Sequence, residues 1–241
     1  MRENVKMFCF PYAGASAMFY NKWKSYLDDD LIRVCPVELA GRGRRYSEPF
    51  YQNMTELIED LYNEVIRQIN GEFIFFGHSL GGLLAYQLAL EMWNLKGMKP
   101  LHIFVSGRNP PHVQEKRDLH LLPDDEFKKE VYKYGGISTE LLDDEVMNSF
   151  LPILRADFRV LETFEWHQVQ KKLNCNITVL GGDRDFEVCE ADLTGWGNYT
   201  EKKNKIIMFQ GDHFFIFHYA REIMNLIHTT TMQELKILTN W

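Results

Sequence analysis

Six short, apolar-rich runs punctuate the chain, at residues 5–10, 31–36, 73–76, 101–105, 177–180 and 205–209. Runs this short without a clear polar face predict buried strands. Between them the apolar period changes to that of a helix. Over residues 53–69, Leu57, Ile58, Leu61, Val65 and Ile69 form one stripe, and Asn53 followed by Glu56 three residues on is an N-terminal capping signal. Strand and helix alternate, which predicts an α/β fold: a mostly parallel central sheet with helices on both faces, because parallel strands need crossover connections and helices supply them.

One stretch breaks the rhythm. From residue 118 to about 165 no strand pattern occurs, but Phe127, Val131 and Tyr134 fall at helical spacing before Gly135-Gly136, and Val146, Phe150 and Ile153 do so again. This predicts a helical insertion between two strands, the usual position of a lid over an active site; the plainer alternative is two further packing helices. No repeat, low-complexity tract or Gly/Ser linker divides the chain, so residues 1–241 are expected to form one domain, with a terminal helix over residues 229–241.

Composition narrows the function classes. The net charge of −7 argues against a general nucleic-acid binder, which usually carries a basic excess. No apolar run approaches the roughly 18 residues of a membrane span, and the start lacks a secretory pattern, so a cytosolic location without membrane attachment is expected. Cys9, Cys35, Cys175 and Cys189 are widely scattered without metal-type spacing, so neither a disulfide frame nor a metal site is expected, and Cys9 and Cys35 read as buried thiols.

The strongest local signal is Gly77-His78-Ser79-Leu80-Gly81, a G-x-S-x-G between a predicted strand and a predicted helix. The glycines permit a strand-to-helix turn so sharp that the serine takes strained backbone angles and lifts its hydroxyl into the open. The Leu80 N–H is left free at a helix N-terminus, where it can hold a developing oxyanion. Gly82 serves close packing, and His78 reads as a turn or packing residue.

A serine hydroxyl is a weak nucleophile at neutral pH and needs a base. In the α/β-hydrolase fold an acid and then a histidine follow the serine along the chain. Strand 177–180 runs into Gly181-Gly182-Asp183-Arg184-Asp185, and strand 205–209 into Gln210-Gly211-Asp212-His213. Acid and base would thus sit past the C-terminal ends of strands, the edge where sites form in such sheets. His213 is the expected base; His102, His112, His120, His167, His218 and His228 read as surface or satisfied core residues. Asp183 and Asp185 compete for the orienting role and spacing does not separate them, while Asp212, adjacent to the base, reads as a surface carboxylate. The second oxyanion donor should come from the loop after the first strand, Phe10-Pro11-Tyr12-Ala13-Gly14-Ala15-Ser16, as the N–H of Tyr12 or Ala13.

These segments resemble the type II thioesterases associated with nonribosomal peptide and polyketide synthetases. The likeness takes in residues 9–14, Glu38-Leu39-Ala40-Gly41-Arg42-Gly43-Arg44 with Glu48-Pro49, and the elbow at residues 76–82. It continues through the lid segments at residues 121–127, Gly135-Gly136 and residues 151–157. Ala40 replaces a usual proline, and Ala15 a frequent glycine. The resemblance implies an α/β-hydrolase fold and a Ser79, Asp185, His213 triad, favours Asp185 over Asp183, and places the oxyanion donor of the first loop at or beside Tyr12.

It further implies a monomeric enzyme without cofactor or metal that hydrolyses acyl or aminoacyl groups from the phosphopantetheine arm of carrier proteins. Such carriers are commonly acidic, so Arg42, Arg44 and Arg45 are candidates for docking them. Two rivals share the sequence features: a carboxylesterase acting on free small molecules, and a catalytically silent hydrolase-fold binding protein.

Overall fold

The computed structural model describes residues 4–27, 30–113, 117–135, 144–167 and 171–239. Six strands form one sheet: β1 (Val5–Phe10), β2 (Ile32–Pro36), β3 (Phe73–His78), β4 (His102–Ser106), β5 (Asn176–Gly182) and β6 (Asn204–Phe209). Their order is β2-β1-β3-β4-β5-β6 and every pairing between them is parallel. Side chains alternate between the two faces. Phe8, Phe10, Phe73 and Phe75 pack under α1 (Met54–Ile66) and α2 (Leu80–Lys96), whereas Met7, Cys9, Ile74 and Phe76 pack with Tyr20 and Trp23 of the 3-10 segment Ala17–Tyr26. Both faces are covered, as a parallel sheet requires.

Local chemistry explains the element ends. The Asn53 side chain accepts from the Glu56 N–H and caps α1, while the Glu56 carboxylate accepts from the Gln52 N–H, so the capping signal is satisfied reciprocally. The helix stops at Ile66, short of the predicted Ile69, as the last residues turn off through Gln68 N–H and Ile69 N–H bonds to Val65 and Ile66. α2 is longer than its apolar run implies and is buried on nearly all sides. It ends at Gly97, whose φ of 63° is a left-handed cap that favours glycine. β3 and β5 run past their predicted ends because Gly77 and His78 pair with Val105 and Ser106, and Gly181 and Gly182 with Met208 and Phe209.

The insertion between β4 and β5 forms α3 (Asp124–Lys133) and α4 (Asp144–Glu162). Leu119, Phe127, Val131, Met147, Leu151, Leu154 and Phe158 give it a small core of its own. Gly135 ends this first helical stretch with φ of 75°, and Gly136 lies outside the described residues. A short α5 (Glu190–Leu193) follows β5, and α6 (Ala220–Thr239) begins nine residues before the expected terminal helix because Ile223, Met224 and Ile227 also pack on the sheet. Among the described residues no helix is long and apolar enough to cross a membrane.

The cysteines separate by environment. Burial pushes the Cys9 thiol well above its ordinary pKa and that of Cys175 up to about 12, Cys35 is only partly covered, and Cys189 is exposed. Because the thiolate is the reactive form, iodoacetamide applied to the native protein should label Cys189 first and leave Cys9 and Cys175 unmodified. Peptide mass spectrometry reads the sites; early labelling of Cys175 would contradict this packing.

Candidate active site

The chain runs from β1 to β2 on one side and then crosses to β3 on the other, so a crevice opens where the C-terminal ends of β1 and β3 diverge. Ser79 stands there, between β3 and α2, with φ of 54° and ψ of −119°. Its N–H donates to the Ser106 carbonyl at 2.7 Å, tying the strained turn to β4. No side chain fits on either flank: a Cβ on Gly77 would lie 1.9 Å from the Gly81 carbonyl oxygen, and one on Gly81 would lie 2.1 Å from that of Phe10. Gly82 is also crowded, since a Cβ there would lie 3.1 Å from Val105 Cγ1, in keeping with a packing role.

His213 follows β6 through Gly211, whose φ is 138°. Its Nδ1–H donates to Asp185 Oδ2 at 2.8 Å, with the imidazole 4% and the carboxylate 0% exposed. The other carboxylate oxygen, Oδ1, accepts from the Glu187 N–H at 2.9 Å, so Asp185 is fixed at both ends. A carboxylate on Nδ1 selects the tautomer whose Nε2 is unprotonated and able to act as a base. Asp183 instead accepts from the Gly211 N–H at 2.8 Å and joins the two strand-end loops. Asp212 accepts from the Phe214 N–H within its own turn.

Ser79 and His213 line the same cavity, of about 610 Å³, together with Tyr12 and Ala13. Among the described hydrogen bonds none joins the serine hydroxyl to the imidazole; such bonds are often long until substrate is bound. His78 lies behind the site with its ring 5.0 Å from that of His213 and its Nδ1 2.9 Å from Ser106 Oγ. Burial, and next the proximity of His213, push its pKa well below the usual histidine value. It packs as a neutral ring.

Backbone donors converge on the same place. Leu80 opens α2, and no acceptor for its N–H, or for those of Tyr12 and Ala13, occurs among the described residues. In the turn between them, the Ala15 N–H donates to the Tyr12 carbonyl and the Gly14 N–H to Asp157 Oδ2. Two helices roof the cavity, with Val131 of α3 and Met147, Phe150, Ile153, Leu154 and Phe158 of α4 giving it an apolar wall. The lid position inferred from the broken strand rhythm is thus the observed one.

The proposed basic docking patch does not form. Arg42 is buried, with both terminal nitrogens 2.6 Å from the Asp157 carboxylate oxygens. Arg45 is bonded to Glu48 and Asp60, its side chain 15% exposed. Only Arg44 projects, 61% exposed and 2.9 Å from Glu64. Ion pairing, with Asp157 for Arg42 and with Glu48 and Asp60 for Arg45, turns two of the three inward. Two further residues stand at the site, Glu187 and Tyr134, the latter expected from its spacing only as a lid-helix residue. The Tyr134 ring stands 5.5 Å from that of His213, and Glu187 lines the cavity and pairs with Arg117; no local motif marks either.

The chain and its fold have close counterparts. Linear gramicidin dehydrogenase LgrE of Brevibacillus parabrevis is 36% identical over 236 residues, covering 96% of this chain and 89% of that one. Among solved structures, ClbQ from the colibactin NRPS/PKS pathway superposes with a TM-score of 0.91 at 33% identity, covering 98% of this chain and 99% of its own. BorB, a type II thioesterase from the borrelidin biosynthetic cluster, does so with a TM-score of 0.87 at 28% identity, covering 96% and 94%. The likeness to type II thioesterases of peptide and polyketide synthesis, and the hydrolase fold it implied, therefore hold. The thioesterase-domain family matches residues 5–231, and the chain belongs to that family.

Proposed function

We propose that the protein is a serine thioesterase that clears acyl or aminoacyl groups from the phosphopantetheine arm of synthetase carrier proteins, acting as a monomer in the cytosol. The observation that carries this reading is the Asp185–His213 pair, oriented at the sheet edge beside the Ser79 elbow, under an apolar roof suited to an acyl group. Relatives named for a colibactin NRPS/PKS pathway and a borrelidin cluster support the carrier-linked substrate. The dehydrogenase in the name LgrE finds little support: the turn after β1, where a dinucleotide would sit, reads Pro11-Tyr12-Ala13-Gly14 and lacks the Gly-x-Gly-x-x-Gly fingerprint.

In this mechanism His213 Nε2 takes the Ser79 proton as Oγ attacks the thioester carbonyl. The N–H of Leu80 and that of Tyr12 or Ala13 hold the oxyanion, as two preorganised donors do in acyl transfer. Collapse breaks the C–S bond, the pantetheine sulfur takes the proton from His213, and an acyl-serine is left. Water then attacks this ester while His213 takes its proton and returns it to Ser79 Oγ, releasing the free acid. Asp185 stays ionised throughout and stabilises the imidazolium. No step calls on a metal or cofactor.

Acyl-carrier-protein thioesters and p-nitrophenyl esters of the same acyl group, compared with Ser79→Ala as control, test the reading. The carrier-linked substrate should have the higher kcat/KM. Preference for the simple ester would favour the carboxylesterase, and failure of a fluorophosphonate to label Ser79 would favour the silent scaffold.

A further inference from the structure

Asp157, on the lid helix α4, is 2% exposed and holds three donors. Arg42 Nη2 lies 2.6 Å from its Oδ1 and Arg42 Nη1 2.6 Å from its Oδ2, while the Gly14 N–H donates to Oδ2 at 2.8 Å. The same Nη1 donates to the Ala15 carbonyl at 3.2 Å. One turn earlier on α4, Leu154 presses so closely on Gly14 that a Cβ there would lie 2.6 Å from Leu154 Cδ2, and the glycine φ is +81°. A buried ion pair from two distant segments thus grips a turn whose residues Tyr12, Ala13, Gly14 and Ala15 all line the cavity.

A buried ion pair is weak evidence for stability, since desolvation offsets much of its attraction. This one does more than join side chains. It satisfies the N–H and the carbonyl of consecutive loop residues and so fixes the backbone itself. The geometry points to Asp157, held by Arg42, as the positioning residue of the oxyanion loop: through Gly14 it sets where the Tyr12 or Ala13 N–H meets the developing negative charge. This inference rests on the acyl-transfer reading above. Loss of a single oxyanion donor lowers kcat by about 10²- to 10³-fold, and loosening one should give part of that effect.

The test compares Asp157→Asn, the paired replacement Arg42→Met with Asp157→Leu, and Leu61→Ala, which destabilises α1 away from the loop. Each is measured for melting temperature, for kcat and KM on an acyl-carrier thioester, and for the rate of Ser79 phosphonylation by a fluorophosphonate, whose oxygen occupies the same hole. Asp157→Asn keeps the shape and loses the charge; the paired replacement removes both members of the ion pair together, so the test stands if the single variant does not fold. The expected result is a fall in kcat and in phosphonylation rate of roughly 10- to 100-fold for the Asp157 variants, with KM little changed, while Leu61→Ala keeps both rates despite its lower melting temperature. Unchanged kcat, a rise in KM alone, or losses that follow melting temperature across all three variants would overturn the inference. Retained thioesterase activity in Ser79→Ala would instead overturn the reading on which it rests.

Discussion

Ser79→Ala is expected to lower turnover of a carrier-linked thioester by roughly 10⁴- to 10⁶-fold, and His213→Ala by a similar factor, since nucleophile and base act as a unit and removing either costs nearly the whole effect. The backbone makes the serine variant a clean experiment. Ser79 is held at φ 54° and ψ −119°, a region unfavourable to any residue with a Cβ, so alanine inherits the strain that serine already carries. Its fold and melting temperature should be close to those of the parent. Ser79→Gly relieves that strain and should be more stable by about 1 kcal/mol while equally inactive. Stability rising as activity vanishes would place the strain at the elbow in the service of chemistry. A Ser79→Ala protein with near-parental turnover would remove the nucleophile from the mechanism.

The second large effect separates two aspartates that stand two residues apart. Asp185→Asn should lower turnover by about 10⁴-fold, because the amide donates to Nδ1, forces the proton onto Nε2 and leaves the base without a lone pair for Ser79. Asp183→Asn should stay near the parental rate, since its Oδ1 still accepts from the Gly211 N–H and no contact with the imidazole is lost. Single-turnover acylation of the two variants, followed by intact-protein mass, checks the contrast. The reverse order of effects would assign the orienting role to Asp183.

The features legible from sequence are those whose physics is local. An elbow needs glycines at fixed offsets from the serine, and Gly77 and Gly81 declare it because any Cβ there would strike backbone. The meeting of His213 with a carboxylate from the β5 end was legible because both stand in turns just past the ends of neighbouring strands. Asp183 and Asp185 were not separable on spacing, because both leave the same strand end and differ in which loop each side chain meets. Arg42 was misplaced for a related reason: as a charged residue in a basic run it reads as solvated, and its partner lies 115 residues away on a lid helix. Strand ends failed where a neighbour decides them, as at Gly77 and His78, which extend β3 because β4 offers partners. α2 carries little amphipathic signal, being buried almost throughout, so its true ends were set by the elbow and by Gly97.

The hydrogen-bonded ladder between β1 and β3 acts as a ruler for the chemistry. Phe10 stands opposite Gly77 in that ladder, so the loop bearing the proposed backbone donors and the turn bearing Ser79, the proposed nucleophile, leave neighbouring strands in fixed register. A slip of one residue would separate them by about 3.3 Å and invert every core side chain of the strand. The apolar wall of the cavity is attached differently, hung between β4 and β5 with no strand of its own among the described residues. On the proposed mechanism, substitutions in that wall can therefore change the shape of the acyl site while the spacing between Ser79 and the loop after β1 stays constant.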